Sequence, residues 1–430
     1  MILGRKFDVR YSFLVLLVPF FGVNLYLSSS VFIPSFYGCV LCLFFFYLFC
    51  EFRTEDLIYL LLVLLVPFLT TFLCGPDFIF GRIKGFLALV YSSVYALVFG
   101  RLIFRTGRKS LFKAVGLLLV ITVMLIVLER FTPVSSVLLS FRAHLYPDGL
   151  YINDTRDLSH YGFVRPKLLF SEPSFLAIYI GCMVWTYISL SLGRLKDYFL
   201  SFLVLASAYF LVGSPTLFVF AIGLAVSMPY LYASKLISIQ LLAFYSLMVA
   251  VFFILACVMF SFEFLPGIER IEDIFSGRDN SVNERILLSA DLMLHVLSER
   301  PLFGVGVSGT ESAFDIFDEV YQAHGMRINR GDAGWSRDIH ALGANVVMSF
   351  GLLGSSILFL TMFFICKKLL PLNFCGVLFA WAFLLQFLVG AYVTPLYWLY
   401  LVMLLVGLKL RHSDSLALSD ALVEPVYLDE

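Results

Sequence analysis

Two short stretches concentrate the residue types that can move a proton or hold an anion. The first, Arg165-Pro166-Lys167-Leu168-Leu169-Phe170-Ser171-Glu172-Pro173-Ser174, runs straight into an apolar segment. The second is Arg337-Asp338-Ile339-His340, followed by Asn345 and Gly351-Leu352-Leu353-Gly354. An imidazole titrates near neutrality and can accept a proton from a hydroxyl. A carboxylate can do the same or orient a cation, and a guanidinium offers a planar fork to anionic oxygens. Two readings fit Glu172: a charge that complements the dipole of the helix Pro173 opens, or a working carboxylate beside two cations. His340 is either an interfacial hydrogen-bonder at a helix start or a base. No H-E-x-x-H pattern or histidine–carboxylate spacing points to zinc.

The elements that must position these residues are apolar. Of 430 residues, 61% are hydrophobic and 14% charged, against about 45–50% and about 25% in ordinary soluble domains. Thirty Lys+Arg balance thirty Asp+Glu, which leaves no basic surplus for a nucleic acid. Apolar runs long enough to cross a bilayer core recur along the chain, so the expected fold is an all-α polytopic membrane protein.

Reading the runs between polar punctuation gives twelve candidate spans, near 11–28, 31–50, 57–74, 85–104, 113–130, 173–193, 198–213, 215–233, 236–260, 340–366, 370–391 and 395–411. With the N-terminus in the cytoplasm, the inner connections collect Arg5, Lys6, Arg10, Arg53, Arg101, Arg105, Arg108, Lys109, Lys113, Arg194, Lys196, Lys235, Lys367, Lys368, Lys409 and Arg411. The short outer ones hold only Arg82 and Lys84. That asymmetry fixes the expected orientation and returns the C-terminus to the cytoplasm, with 413–430 as a short tail. The first run is read as a retained span, because no small-x-small cleavage site ends it.

Two long connections, 131–171 and 261–339, then face outward and hold His144, His160, His295 and His324; with His340 directly after the second, five of the six histidines are in this outer material. The second carries an amphipathic helix over about 281–300, opened by a Ser281/Glu284 capping box and striped by Ile286, Ala290, Met293 and Leu297. Pro301 ends it, and Gly304-Val305-Gly306-Val307-Ser308-Gly309 follows. That G-x-G-x-x-G lacks the strand-turn-helix setting of a dinucleotide site and reads as a tight glycine turn. The eight cysteines all lie in spans or at their ends, as small packing residues. Inner connections are too short for a nucleotide-binding domain. The spans lack ionisable residues away from their ends, which weakens an ion-coupled transporter.

The two polar stretches together carry a family resemblance. R-P-K-L-L-F-S-E-P-S looks like the R…F-x-E-P-S segment of bacterial O-antigen polymerases of the Wzy type. Arg285, then Pro301-Leu302-Phe303-Gly304-Val305-Gly306, His340 and Gly351-Leu352-Leu353-Gly354 are similar to the signature shared by O-antigen polymerases and O-antigen ligases. The likeness covers about a hundred residues in two blocks. One departure is Ala341 after His340, where the family often has Asn or Ser; Asn345 comes later.

The resemblance implies a bacterial inner-membrane glycosyltransferase of GT-C type, working at the periplasmic face without cofactor or metal. Its donor and acceptor would be glycans on undecaprenyl diphosphate, and a separate chain-length regulator would be a partner. Diphosphate leaves readily if positive charge receives it; Arg165 and Arg285 are the first candidates, with Arg82, Lys84 and Arg337 as secondary cations. Interfacial anchoring is the other reading of Arg82 and Lys84. His340 is the expected base, and Glu172 is either an alternative base or the partner that orients an arginine. A ligase acting on lipid A–core, or a lipid-linked glycan flippase, are the alternatives.

Overall fold

The computed structural model describes residues 25–28, 31–33, 35–50, 53–76, 78–146, 154–191, 195–232, 287–324, 341–386, 392 and 395–423. Among them the chain is helical except for one two-stranded hairpin, β1 (Leu25–Ser28) antiparallel to β2 (Val31–Ile33). This corrects the second expected span, whose start at 31 is strand. The reason is local: Ile33 precedes a proline and is pushed to extended backbone, while Ser35 takes a left-handed φ of 54° before the helix begins.

Helices then follow: α1 (Phe36–Phe49), α2 (Thr54–Leu73), α3 (Ile79–Thr106), α4 (Arg108–Phe131), α5 (Val134–Leu145), α6 (Asp154–Tyr161), α7 (Pro173–Leu190), α8 (Leu195–Val212) and α9 (Pro215–Tyr232). In the later described stretches come α10 (Ser289–Glu299), a 3-10 turn at Thr310–Ala313, α11 (Phe314–Ala323), α12 (Leu342–Leu369), α13 (Leu372–Gln386) and α14 (Pro395–Val423). Five of these, α2, α3, α4, α7 and α12, are long and apolar enough to cross a membrane by themselves. The chain is an integral membrane protein. The expected spans at 236–260 and over most of 11–28 lie outside the described residues. The last helix does not stop near 411: α14 continues to Val423, and Arg108 at the start of α4 pairs with Asp414 (Nε–Oδ2 2.6 Å).

The core gathers around α7, nearly all of whose residues are buried. It packs against α4, α8, α9 and α14, while α14 also runs along α3. Small residues allow close approach, as where Gly181 faces the Phe220 ring and Gly407 faces Ser189. The described parts of the expected outer connections contain helices. The first contains α5 and α6; the second contains α10 and α11, which share a separate apolar cluster with Val305 and Met348. Leu292 and Val296 of α10, with Leu288 at its N-cap, are buried, one position before Met293 and Leu297 of the expected stripe; the Ser281/Glu284 capping box and Ile286 lie outside the described residues.

Candidate functional site

On one side of the bundle, the Arg165–Ser174 stretch is held by a buried acid at the end of a span. Glu129, in the last turn of α4, accepts the N–H groups of Lys167 (3.0 Å) and Leu168 (2.7 Å) on Oε2. Its Oε1 pairs with Arg142 Nη1 at 2.6 Å, and the same Nη1 donates to the carbonyl of Leu168 at 2.7 Å. The peptide around Leu168 is thus gripped from both ends, which supports the left-handed φ of 49° at that leucine. Tyr146 adds a bond from its hydroxyl to Leu169 O at 3.0 Å.

Arg165 is itself buried and engaged. Its Nε lies 2.7 Å from Asp157 Oδ1, its backbone N–H donates to Asp157 Oδ2, and its guanidinium sits 4.6 Å from the Tyr161 ring centre. Glu172 is the N-cap of α7 and Pro173 its first residue, as the sequence indicates. The Glu172 carboxylate does not cap its own helix; its Oε2 accepts the Ser174 hydroxyl at 2.9 Å, and the side chain is half-buried.

The second stretch is built around a broken helix. Gly351 has φ 64° and ψ −174° in the middle of α12, so the helical ladder is interrupted there. The segment after α10 fills the gap. Val305 and Gly306 donate to the carbonyls of Met348 and Ser349, both at 2.9 Å. In return Leu352 donates to Pro301 O (2.7 Å) and Leu353 to Leu302 O (3.2 Å). An interrupted helix at membrane depth is tolerated only when its freed backbone groups find partners, and the P-L-F-G-V-G segment supplies them. Two glycines are required sterically. A Cβ on Gly304 would collide with the Met348 carbonyl and one on Gly351 with the Leu302 carbonyl, and both residues have positive φ.

Arg82, on the first turn of α3, braces this assembly. It is fully buried, and its guanidinium donates to the carbonyls of Cys74 (3.3 Å), Val305 (3.4 Å) and Gly75. It therefore ties the C-terminal end of α2 to the glycine segment. Burial pushes the Cys74 thiol up, against the pull of the Arg82 and Arg300 charges, and its Sγ donates to Phe303 O at 3.5 Å. Lys84, two residues on from Arg82, is exposed. Arg300 holds the end of the turn through Ser312, with Nη1–Oγ 2.9 Å and Nη2–O 2.8 Å.

A cavity of about 640 Å³ lies beside the break. Its lining starts at Leu342 and Gly343 in the first turn of α12 and continues through Val346, Phe350, Leu358 and Met362 to Cys366. Val63 and Pro67 of α2, Phe379 of α13, and Trp398 and Leu405 of α14 close it. The walls are almost wholly apolar.

Residues 199–359 match the family described as O-antigen ligase. Over those residues the chain is similar to the O-antigen polymerase and ligase superfamily. No curated protein matches it. The matched stretch includes α10, the glycine segment and the break in α12, whereas the Arg165–Ser174 stretch and its Glu129–Arg142 grip lie before it. Of the site residues expected from sequence, Arg165, Glu172, Arg82 and Lys84 are described. His340, Arg285 and Arg337 lie outside the described residues; Ala341, which follows His340 in the chain, is the N-cap of α12. Among the described residues, no group of three or more His, Cys, Asp or Glu is arranged to hold a metal ion.

Sequence reasoning missed Glu129, Arg142 and Asp157. The signal for Glu129 was an acid one turn inside the end of an apolar run, which needs a partner if it is buried. Nothing in the spacing names Arg142 or Asp157 as those partners.

Proposed function

We propose that the chain is a polymerase of O-antigen or a related surface polysaccharide. In this reading it joins undecaprenyl-diphosphate-linked repeat units at the periplasmic face of the bacterial inner membrane. The observation that carries the reading is the apolar cavity running along α12 from its first turn, because a lipid-linked substrate needs a dry slot for an isoprenoid tail beside the polar centre. The His340–Ala341–Leu342 sequence puts the expected base next in the chain to that lining.

The reaction is an inverting transfer. A hydroxyl oxygen of one glycan attacks the anomeric carbon of the other, and the bond from that carbon to the diphosphate oxygen breaks. The diphosphate keeps the bonding electrons, and the hydroxyl proton passes to His340 or, in the alternative assignment, to Glu172. Arg285, Arg165, Arg337 and Lys84 meet the charge that develops on the leaving group. Arg82, enclosed by carbonyl oxygens, acts mainly by fixing the glycine segment, and its charge reaches the diphosphate only at longer range. The wider architecture of this reading is a twelve-span GT-C bundle with both termini in the cytoplasm and a separate chain-length regulator as partner. Neither cofactor nor metal takes part.

The second reading is an O-antigen ligase, which the description of the matched family favours; the F-S-E-P-S segment favours the polymerase. Purified protein is mixed with undecaprenyl-diphosphate-linked repeat units, with and without lipid A–core. A ladder spaced by one repeat supports the polymerase; transfer seen only onto lipid A–core makes the chain a ligase. Absence of both products, with each substrate supplied, overturns both.

A further inference from the structure

α5 leaves the end of α4 through the Thr132-Pro133 turn and presents an apolar stripe to its surroundings. Val134, Val137, Leu138 and Phe141 recur at spacings of three, one and three, which puts them on one face of a helix. Val137 is 69% and Phe141 52% exposed. Such a face in water would be a liability. Ser135, Ser136 and Ser140 lie on other faces. Arg142, off the stripe, turns inward and is buried on Glu129.

The stripe continues a surface that the bilayer already covers. On α4, Val120, Met124, Leu128 and Phe131 are exposed at spacings of four, four and three, along a helix apolar enough to cross the membrane. Phe131 and Val134, on either side of the two-residue turn, are both exposed. We propose that α5 is an in-plane helix of the adjoining leaflet, with Val134, Val137 and Phe141 among the acyl chains just below the headgroups. An amphipathic helix at this boundary buries its apolar face about 5–10 Å into it. Arg142 joins α5 to the Leu168 peptide, so the helix sets the height of the Arg165–Ser174 stretch at headgroup level.

The test is lipid-phase fluorescence quenching of the full chain, otherwise unaltered, carrying V137W or S140W. Each variant is reconstituted in phosphatidylcholine vesicles with or without bromine on the acyl chains, and the signal of the parent protein's own four tryptophans is subtracted. Iodide in the aqueous phase is the second quencher. Bromolipid is expected to quench the tryptophan at 137 severalfold more strongly than the one at 140, with iodide showing the reverse order. Iodide quenching at 137 as strong as at 140 would place the helix in water and overturn the proposal. Protection of 137 from both quenchers would mean that protein covers the face, and would overturn it equally. F141W is a second lipid-side reporter should V137W not fold.

Discussion

The N–H of Val305 donates to the carbonyl oxygen of Met348 at 2.9 Å, across the break that Gly351 makes in α12. With the bonds from Leu352 to Pro301 O and from Leu353 to Leu302 O, it joins two motifs that sit far apart in the chain, P-L-F-G-V-G and G-L-L-G. Neither is a ligand-binding loop by itself. Each is the other's hydrogen-bonding partner, and together they build an irregular, satisfied piece of backbone at the head of the cavity.

Gly351→Ala and Gly304→Ala should therefore destabilise the protein strongly. Positive φ costs a residue with a Cβ roughly 1–2 kcal/mol, and forcing the backbones apart adds about 1–3 kcal/mol. Gly376→Ala, where an added Cβ meets nothing within 4 Å, should be neutral. Thermal unfolding in detergent, followed by loss of monodisperse protein, compares the three; equal midpoints would contradict the insertion.

Removing one partner of the Glu129–Arg142 pair leaves a buried charge alone, at a cost of about 3–5 kcal/mol. Glu129→Ala and Arg142→Ala should each be severely destabilising, and the double variant should cost much less than their sum. A double-mutant cycle on unfolding midpoints measures this, and strict additivity would show that the two side chains do not interact.

Asp157 is expected to matter through Arg165, which it orients by Nε and by the backbone N–H. Asp157→Asn should lower glycan polymerisation in the same direction as Arg165→Ala, and Arg165→Lys should not restore it, because an ammonium lacks the planar fork. Glycan ladders from complemented cells provide the comparison. Full activity of Arg165→Lys would remove the arginine-specific role.

Filling the cavity should block substrate without unfolding the chain. Val346→Trp is expected to lower the rate with lipid-linked repeat units more than tenfold and to abolish binding of an unreactive polyprenyl phosphate, with the melting temperature little changed. Wild-type binding by this variant would detach the cavity from the lipid tail.

Much of this architecture was legible beforehand because bilayer thickness imposes long apolar runs, and Pro173 and Glu172 mark the start of α7 as a proline at the first helical position should. The β1–β2 hairpin was not, since a short apolar run such as Val31–Ile33 does not reveal its own period. The glycines of Gly304–Gly309 were visible as a turn, but their pairing with Met348 and Ser349 is a long-range backbone contact that no local spacing records. Glu129 stands at the edge of an apolar run and drew no notice there; its burial follows only from how α5 and the Arg165–Ser174 stretch fold back over it. Arg82 broke the positive-inside pattern and so drew notice as a cation, and its carbonyl partners explain the exception structurally.

The proposed glycosyl transfer depends on His340. Wild-type protein and His340→Ala, matched for thermal midpoint, are each incubated with undecaprenyl-diphosphate-linked repeat units in the absence of nucleotide and added metal, and the products are sized by gel and mass spectrometry. Loss of a general base costs about 10²–10⁴-fold in rate. A ladder spaced by one repeat from the wild type, missing from the variant, is the predicted result. A ladder formed by His340→Ala at the wild-type rate would contradict it.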